Sequence, residues 1–293
     1  MIFLLKVTER TLEDGTPAVY IEGLSCFDIG KIFDCGQCFR FDPVSVFGNK
    51  VELGGVAFGK FVVFGQDDLN SLTIYGSTYK DYLDLWYSFF SLDIDYDEIN
   101  KEIEKAEPSQ YMKEAILCSY GIRILRQDPY EAICSFIISQ NNNIPRIKGI
   151  IENMCKKYGQ SVYFRGREYH AFPTPEALFS AGEDGLFALK TGFRAKYIYD
   201  FVSRLVNKEI DLNKIYDMTF ENALLELTKI KGIGQKVASC ALLFGFGKTE
   251  AFPIDVWIKR VLEEHFPRGI NLNGLGKNAG IAQQYLFYRG RYL

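Results

Sequence analysis

The sequence predicts an α+β fold, in which an N-terminal antiparallel β-sheet domain precedes a domain built from helices. Up to about residue 76, short β-branched and aromatic segments alternate with turns that contain Gly or Asp. From about residue 81 onward, apolar residues recur at helical spacing, and Gly, Pro or Asp separates the segments. We predict a β-rich domain with flanking helices over 1–108 and a helical domain over 109–293.

The strand signal is clearest over 18–21 and 60–64, and we expect Gly54, Gly55 and Gly59 at hairpin turns or bulges. Helical periodicity predicts six helices before the last third of the chain, over 82–90, 97–106, 130–139, 145–157, 174–180 and 195–206. The last third continues the helical pattern, so the strands come first and the helices follow.

Composition excludes several classes of protein. Apolar residues make up 47% of the 293 positions and charged residues 24%, which supports a sizeable core and argues against disorder. No apolar run approaches the roughly 18 residues that a membrane span needs. Seven cysteines, mostly in apolar surroundings, indicate a reducing compartment, and two distant histidines argue against a His-based zinc site. We therefore expect a soluble cytoplasmic protein.

The net charge of −3 conceals an asymmetry along the chain. Residues 1–110 hold 9 Lys/Arg and 19 Asp/Glu, whereas residues 111–293 hold 25 and 18, so the second part is basic. This asymmetry hints at a polyanionic partner for the second part.

The most informative stretch is 227–243, in which a short helix, a turn containing Gly232 and Gly234, and a second apolar helix follow one another. Two glycines let the backbone approach another group, and the N–H groups at the second helix start form an anion site suited to a phosphate. This site includes the first helical turn up to Val237. An ordinary helical corner with a Gly C-cap explains the local pattern as well.

A carboxylate, Asp255, follows Lys236 by nineteen residues, after Pro253. Helix N-capping alone explains an Asp at this position. An amine and a carboxylate at two helix starts also suit covalent chemistry at a sugar carbon, where the amine attacks and the carboxylate stabilises the developing positive charge.

On these residues the sequence resembles the helix-hairpin-helix base-excision DNA glycosylases (the HhH-GPD superfamily), and within them the 8-oxoguanine DNA glycosylase/AP lyases. The resemblance implies a helix-hairpin-helix glycosylase domain in which Lys236 is the nucleophile, forms a Schiff base and permits β-elimination. Asp255 is then its electrostatic partner. It also implies double-stranded DNA as the partner, and hence association with the nucleoid if the source is bacterial. It further implies a monomer, and neither an organic cofactor nor a catalytic metal.

A second match to this family covers 121–129 and 139–149. Without the resemblance, Asn141 and the two asparagines after it indicate only a loop. With it, Asn141 fills the gap left by the extruded base, and Arg146 and Arg194 contact the orphaned cytosine. Phe193 stands where the eukaryotic members usually have a tyrosine wedge, and Trp257 where they tend to carry a histidine near a phosphate.

The family analogy also assigns the pocket for the damaged base. Gln283 reads the Watson–Crick edge, while Phe287, four residues later on the same helix face, covers one face of the base. Cys240, four after Lys236, takes the other face. Gly36 supplies a carbonyl that accepts a hydrogen bond from N7–H of 8-oxoguanine and repels the N7 lone pair of guanine. Core packing is the alternative explanation for each of these side chains.

Three competing hypotheses remain. Cys35 and Cys38 form a Cys-x-x-Cys motif, but their β-hairpin context disfavours a redox pair and no second cysteine pair completes a zinc site. A monofunctional glycosylase for alkylated bases would share the fold and use water as nucleophile. A non-catalytic protein would use the hairpin only to bind DNA phosphates.

Overall fold

The computed structural model describes residues 5–292, and its first half contains the predicted antiparallel sheet. Six strands pair in the order β1-β2-β6-β5-β4-β3. The strands are β1 (Lys6–Thr11), β2 (Pro17–Glu22), β3 (Phe41–Pro43), β4 (Val51–Ala57), β5 (Lys60–Gln66) and β6 (Ser71–Tyr75). The α+β class is confirmed.

Strand β5 is buried on both faces, which explains its continuous apolar sequence. On one face, Val62 and Phe64 pack with Trp86, which lies in a helix over residues 79–89 that contains a π-helical turn. A short helix, Ile29–Asp34, packs on the same side and begins where Asp28 accepts a hydrogen bond from the Lys31 N–H. The sequence did not predict this helix.

The rest of the chain is mainly helical. Beyond residue 95 the main helices are Tyr96–Ala106, Gln110–Cys118, Pro129–Ser139, Ile144–Tyr158, Pro175–Leu186, Ala195–Val206, Leu212–Asp217, Phe220–Thr228, Gln235–Phe246, Val256–His265, Leu272–Leu275 and Ala279–Tyr292. The predicted helices after residue 95 are all present. The helix predicted to end at residue 180 is interrupted at Gly182, whose φ of +69° and ψ of 174° are not helical, and helical residues resume up to Leu186.

The helical domain departs from an all-helical plan at one place, the hairpin of β7 (Ser161–Phe164) and β8 (Arg167–His170). Its turn residues, Arg165 and Gly166, both have positive φ angles, of 49° and 73°. Tyr169 stacks on Phe61 of β5 with ring centroids 3.6 Å apart. The hairpin therefore covers the second face of the N-terminal sheet, a long-range contact that helical periodicity does not reveal.

The prediction of turns or bulges at Gly54 and Gly55 is wrong, because both lie inside β4. A Cβ at Gly55 would lie 2.3 Å from the Arg40 carbonyl oxygen, so glycine is needed where β3 approaches closely. Gly59 does lie in the turn between β4 and β5, with φ +71°.

The two domains join through buried polar contacts of the extended segment 121–128. Arg123 is 4% exposed, and its guanidinium donates to the carbonyls of Cys26 at 3.0 Å and Ser91 at 2.7 Å. Tyr96 and Ile103 pack into the core of the helical domain. The division at 108/109 stays a prediction, and the outermost residues of both predicted domains lie outside the described range.

Within residues 5–292, no helix is long and apolar enough to cross a lipid bilayer.

Candidate active site

Lys236 and Asp255 come together because each stands at the start of a helix. Lys236 is the second residue of Gln235–Phe246, which we call the lysine helix. Asp255 is the N-cap of Val256–His265, and its carboxylate accepts from the Ile258 N–H at 2.8 Å. Both side chains line a cavity of about 60 Å³. The cavity is lined by Cys35, Gly36, Phe136, Lys236, Cys240, Phe244, Pro253, Asp255, Gln283, Gln284 and Phe287.

The turn before the lysine helix is shaped by its two glycines in different ways. Gly232 has φ +82°, and a Cβ there would lie 2.2 Å from the Tyr197 ring. Gly234 is the N-cap residue and supplies no side chain to bond the first-turn N–H groups. These groups, which include the N–H of Val237, remain available to an anion at the positive end of the helix. The Val237 side chain is buried, so only its backbone is placed for such a contact.

Lys236 is half-buried between apolar and thiol groups. Its Nζ lies 5.9 Å from the centroid of the Phe136 ring. Cys240 lies one turn further along the lysine helix, and burial raises the pKa of its thiol while the Lys236 ammonium opposes that rise. The Lys236 amine and the Cys240 thiol therefore lie on the same wall of the cavity.

The helix Ala279–Tyr292, which we call the pocket helix, forms the opposite wall. Gln283 is 4% exposed, and its Oε1 has no hydrogen-bond partner among the described residues. An unpartnered buried oxygen costs about 1–3 kcal/mol, which a ligand that donates to it recovers. Phe287 faces Gly36, with its ring 3.5 Å from where a Gly36 Cβ would stand.

A second group of predicted residues surrounds the loop 140–143. Asn141 is exposed with φ +46°, and Asn143 caps the next helix by accepting from the Arg146 N–H at 3.0 Å. Phe193 is 46% exposed, and the Arg194 guanidinium lies 4.4 Å from its ring centroid. Burial lowers the pKa of Arg194, and the charge of the nearby Arg146 adds to this effect. The structure thus brings Asn141, both arginines and Phe193 together.

The two arginines differ in their availability. The Arg146 side chain is exposed. Arg194 is 3% exposed, and its guanidinium donates to the carbonyls of Gln140, Asn141 and Thr191. In this structure Arg194 therefore holds the loop, and contact with a base requires these bonds to be exchanged.

Trp257 lies apart from the cavity, on the outer surface of the helix that Asp255 caps. It is 40% exposed, and the Arg260 guanidinium lies 5.3 Å from its ring centroid. The pair presents an aromatic face and a positive charge to solvent.

Sequence reasoning missed five lining residues: Cys35, Phe136, Phe244, Pro253 and Gln284. Phe136 and Phe244 belong to apolar helices whose pattern indicates only core. Gln284 is 2% exposed, and a buried amide in the pocket helix is an unusual feature that the sequence alone does not distinguish from a surface residue.

The Cys-x-x-Cys alternative is not supported by its surroundings. Cys35 and Cys38 are both buried, and burial raises the pKa of each thiol to about 12. Redox and metal chemistry need the thiolate, which this environment disfavours.

Comparisons with known proteins identify the family and the fold. A family model for the 8-oxoguanine DNA glycosylase N-terminal domain matches residues 20–133, and one for the HhH-GPD superfamily base excision DNA repair proteins matches residues 134–269. The fold superimposes with a TM-score of 0.90 on a Clostridium acetobutylicum 8-oxoguanine glycosylase/lyase in complex with double-stranded DNA that contains cytosine opposite 8-oxoG. The two chains are 35% identical, and the match covers 99% of each.

Curated relatives give the same picture over less of their length. A probable N-glycosylase/DNA lyase of Methanothermobacter thermautotrophicus is 35% identical over 203 residues, which is 59% of this chain. The match spans 64% of that relative, less than two thirds of its length. An N-glycosylase/DNA lyase of Saccharomyces cerevisiae is 29% identical over 84% of this chain and 70% of its own.

Proposed function

Because this chain belongs to the 8-oxoguanine DNA glycosylase/lyases of the HhH-GPD superfamily, we propose that it excises 8-oxoguanine from duplex DNA and then cleaves the strand. The observation that carries the proposal is the shared cavity of Lys236 and Asp255, faced by the unpartnered Gln283 amide oxygen. The acting species is a monomer with duplex DNA as its partner.

The first step takes the damaged nucleotide out of the stack, since its reacting carbon is unreachable within the duplex. The base enters between Phe287 and Cys240, and Gln283 binds its Watson–Crick edge. The Gly36 carbonyl accepts from N7–H of 8-oxoguanine, whereas guanine presents a lone pair there.

Lys236 is the nucleophile in this mechanism. Its neutral amine attacks C1′ of the sugar, and the bond from C1′ to the base breaks with its electron pair leaving on the base. Asp255 stabilises the positive charge that develops on the sugar. The amine loses its proton and the sugar ring opens to a Schiff base, after which loss of a C2′ proton eliminates the 3′ phosphate.

The opposite strand is the proposed source of base-pair preference. Asn141 enters the space left by the flipped nucleotide, and Phe193 wedges the strand. Arg146 contacts the O2 and N3 acceptors of an unpaired cytosine, and Arg194 joins it after releasing the loop carbonyls. Support comes from the proximity of these four residues and from the cytosine-containing duplex in the Clostridium complex.

Borohydride trapping tests the proposal. An end-labelled duplex with one 8-oxoguanine opposite cytosine is incubated with the native protein and with Lys236→Gln. We expect a trapped covalent adduct with the native protein and none with the variant, because only the amine forms a reducible Schiff base. Lys156→Gln is the matched control, since Lys156 is a surface lysine with a single ion pair to Glu152.

The outcomes separate the competing functions. Base release without an adduct identifies a monofunctional glycosylase that uses water. Neither adduct nor base release, with duplex binding intact, leaves the non-catalytic DNA-binding hypothesis. An adduct that persists in Lys236→Gln and disappears in Lys156→Gln contradicts the assigned nucleophile.

A further inference from the structure

We infer that Gln284 is a positioning residue for lesion recognition, which sets the distance between the two walls of the base cavity. The inference rests on the proposed function, because it concerns the Gly36 wall that distinguishes 8-oxoguanine from guanine. Gln284 acts through a backbone contact, since its amide nitrogen is committed to the Cys35 carbonyl.

This contact joins distant parts of the chain at close range. Gln284 Nε2 donates to the Cys35 carbonyl oxygen at 2.6 Å, across 249 positions of sequence, and the side chain is 2% exposed. The carbonyl belongs to the same planar peptide unit as the N–H of Gly36. A fixed orientation of this peptide plane therefore fixes the position of Gly36, which lines the cavity. Gly36 itself has φ +77°.

Two further amides hold the turn from its other side. Gln37 is fully buried and donates to the Arg123 carbonyl at 2.8 Å. Gln127 donates to the Gln37 carbonyl at 2.7 Å. These contacts tie the turn to the segment 121–128. Gln284 ties the same turn to the pocket helix, which carries Gln283 and Phe287.

The consequence follows from geometry. Gly36 and Gln283 must meet opposite edges of one base, so the separation of the turn from the pocket helix decides whether both bonds form. Hydrogen bonds weaken steeply outside a donor–acceptor range of about 2.7–3.2 Å. Releasing the Cys35 carbonyl therefore degrades base recognition while leaving Lys236 and Asp255 in place.

Gln284→Met tests the inference, because methionine has similar length and cannot donate. Two single-turnover rates are measured on otherwise identical duplexes, for 8-oxoguanine excision and for cleavage at a preformed abasic site. We expect excision to fall about 10- to 100-fold. We expect abasic-site cleavage to stay within about twofold, because that step needs the lysine and no base.

Gln66→Met is the matched control. Gln66 is also a buried glutamine, 4% exposed, that donates to a main-chain carbonyl, that of Phe27 at 3.1 Å. It lies in the N-terminal sheet away from the cavity, so its variant is expected to lose stability without a selective loss of excision. Gln284→Asn, which keeps a shorter amide, is a second variant, expected to lose less excision than Gln284→Met.

The results discriminate clearly. If Gln284→Met excises 8-oxoguanine as fast as the native protein, or if both rates fall together in both Gln284 variants, the positioning role is wrong. If Gln66→Met shows the same selective loss, the effect is general destabilisation and the inference is again wrong. If the native protein excises no 8-oxoguanine while cleaving abasic sites, the proposed function fails instead.

Discussion

The guanidinium of Arg194 donates to the main-chain carbonyl of Asn141 at 2.9 Å. One of the two arginines proposed to contact the orphaned cytosine thus holds, in this structure, the loop that carries Asn141, the residue proposed to fill the gap. Its Nε donates to the Gln140 carbonyl at 2.9 Å as well. The proposed contact with cytosine therefore requires Arg194 to release the loop carbonyls, whereas the Arg146 side chain is exposed.

Arg194→Lys is expected to destabilise the protein by about 2 kcal/mol, because a single ammonium cannot satisfy three carbonyls arranged for a planar fork. Chemical denaturation measures the free energy of unfolding. Arg146→Lys, at an exposed position, should stay within about 0.5 kcal/mol of the native protein. Equal stability of the two variants would mean that the Arg194 bonds contribute little.

Arg146→Ala is expected to reduce the preference for cytosine opposite the lesion, because the exposed guanidinium is available to an unpaired cytosine from the outset. Excision rates with cytosine and with adenine opposite 8-oxoguanine give the preference as a ratio. The ratio should fall while thermal stability is unchanged. A fall in both rates by the same factor would assign Arg146 to phosphate binding.

Gln283→Met is expected to separate stability from activity. The Gln283 Oε1 has no partner within the part of the chain that the structure describes, so removing it should leave the unfolding free energy equal or higher by up to about 1 kcal/mol. Excision of 8-oxoguanine should drop at least about tenfold, because the base edge loses its partner. Denaturation curves and single-turnover rates test this, and a loss of stability would contradict the unpartnered state.

The two hairpin glycines should respond differently to alanine. Gly232→Ala adds a methyl group 2.2 Å from the Tyr197 ring at φ +82°, and we expect a loss of about 2 kcal/mol or more. A Cβ at Gly234 meets nothing within 4 Å, so Gly234→Ala should remain within about 1 kcal/mol. Its affinity for an abasic-site duplex should still fall, because the methyl group stands where a phosphate approaches. If Gly234→Ala binds this duplex as tightly as the native protein, the hairpin does not contact the DNA.

Glu131 should make stability depend on pH. Burial raises the pKa of its carboxyl to about 7, although Arg40, with Nε 3.7 Å from Oε1, opposes this. The pKa of the Glu131 carboxyl is higher in the folded state than in the unfolded state. Its contribution to the stability of the folded protein is therefore complete below about pH 4.5 and is lost as pH rises through about 7. The native free energy of unfolding should fall by about 1–3 kcal/mol over that window relative to Glu131→Gln.

Denaturation at several pH values checks the Glu131 prediction. Glu98→Gln is the control, because Glu98 is exposed on a surface helix and forms an ion pair with Lys101. Its curve should run parallel to the native one. Parallel curves for Glu131→Gln and the native protein would show that Glu131 does not titrate in this range.

The sequence by itself determined many of the local elements of this protein and the residue types that stand in its motifs. The helix Ala195–Val206 begins and ends where its apolar periodicity does, and Asp255 caps a helix as its position after Pro253 predicts. Such features depend on neighbours within a few residues, which the linear order contains. The family motifs likewise specified Lys236 and Asp255 as residue types suited to covalent chemistry.

Only the tertiary structure decided which side chains are available and which are committed. Whether Arg194 faces DNA or holds a loop depends on carbonyls about fifty positions away, at Gln140 and Asn141. The bond from Gln284 to Cys35 spans nearly the whole chain. Burial and hydrogen-bond partners are set by packing between distant segments, and periodicity in the sequence carries no information about which segments meet.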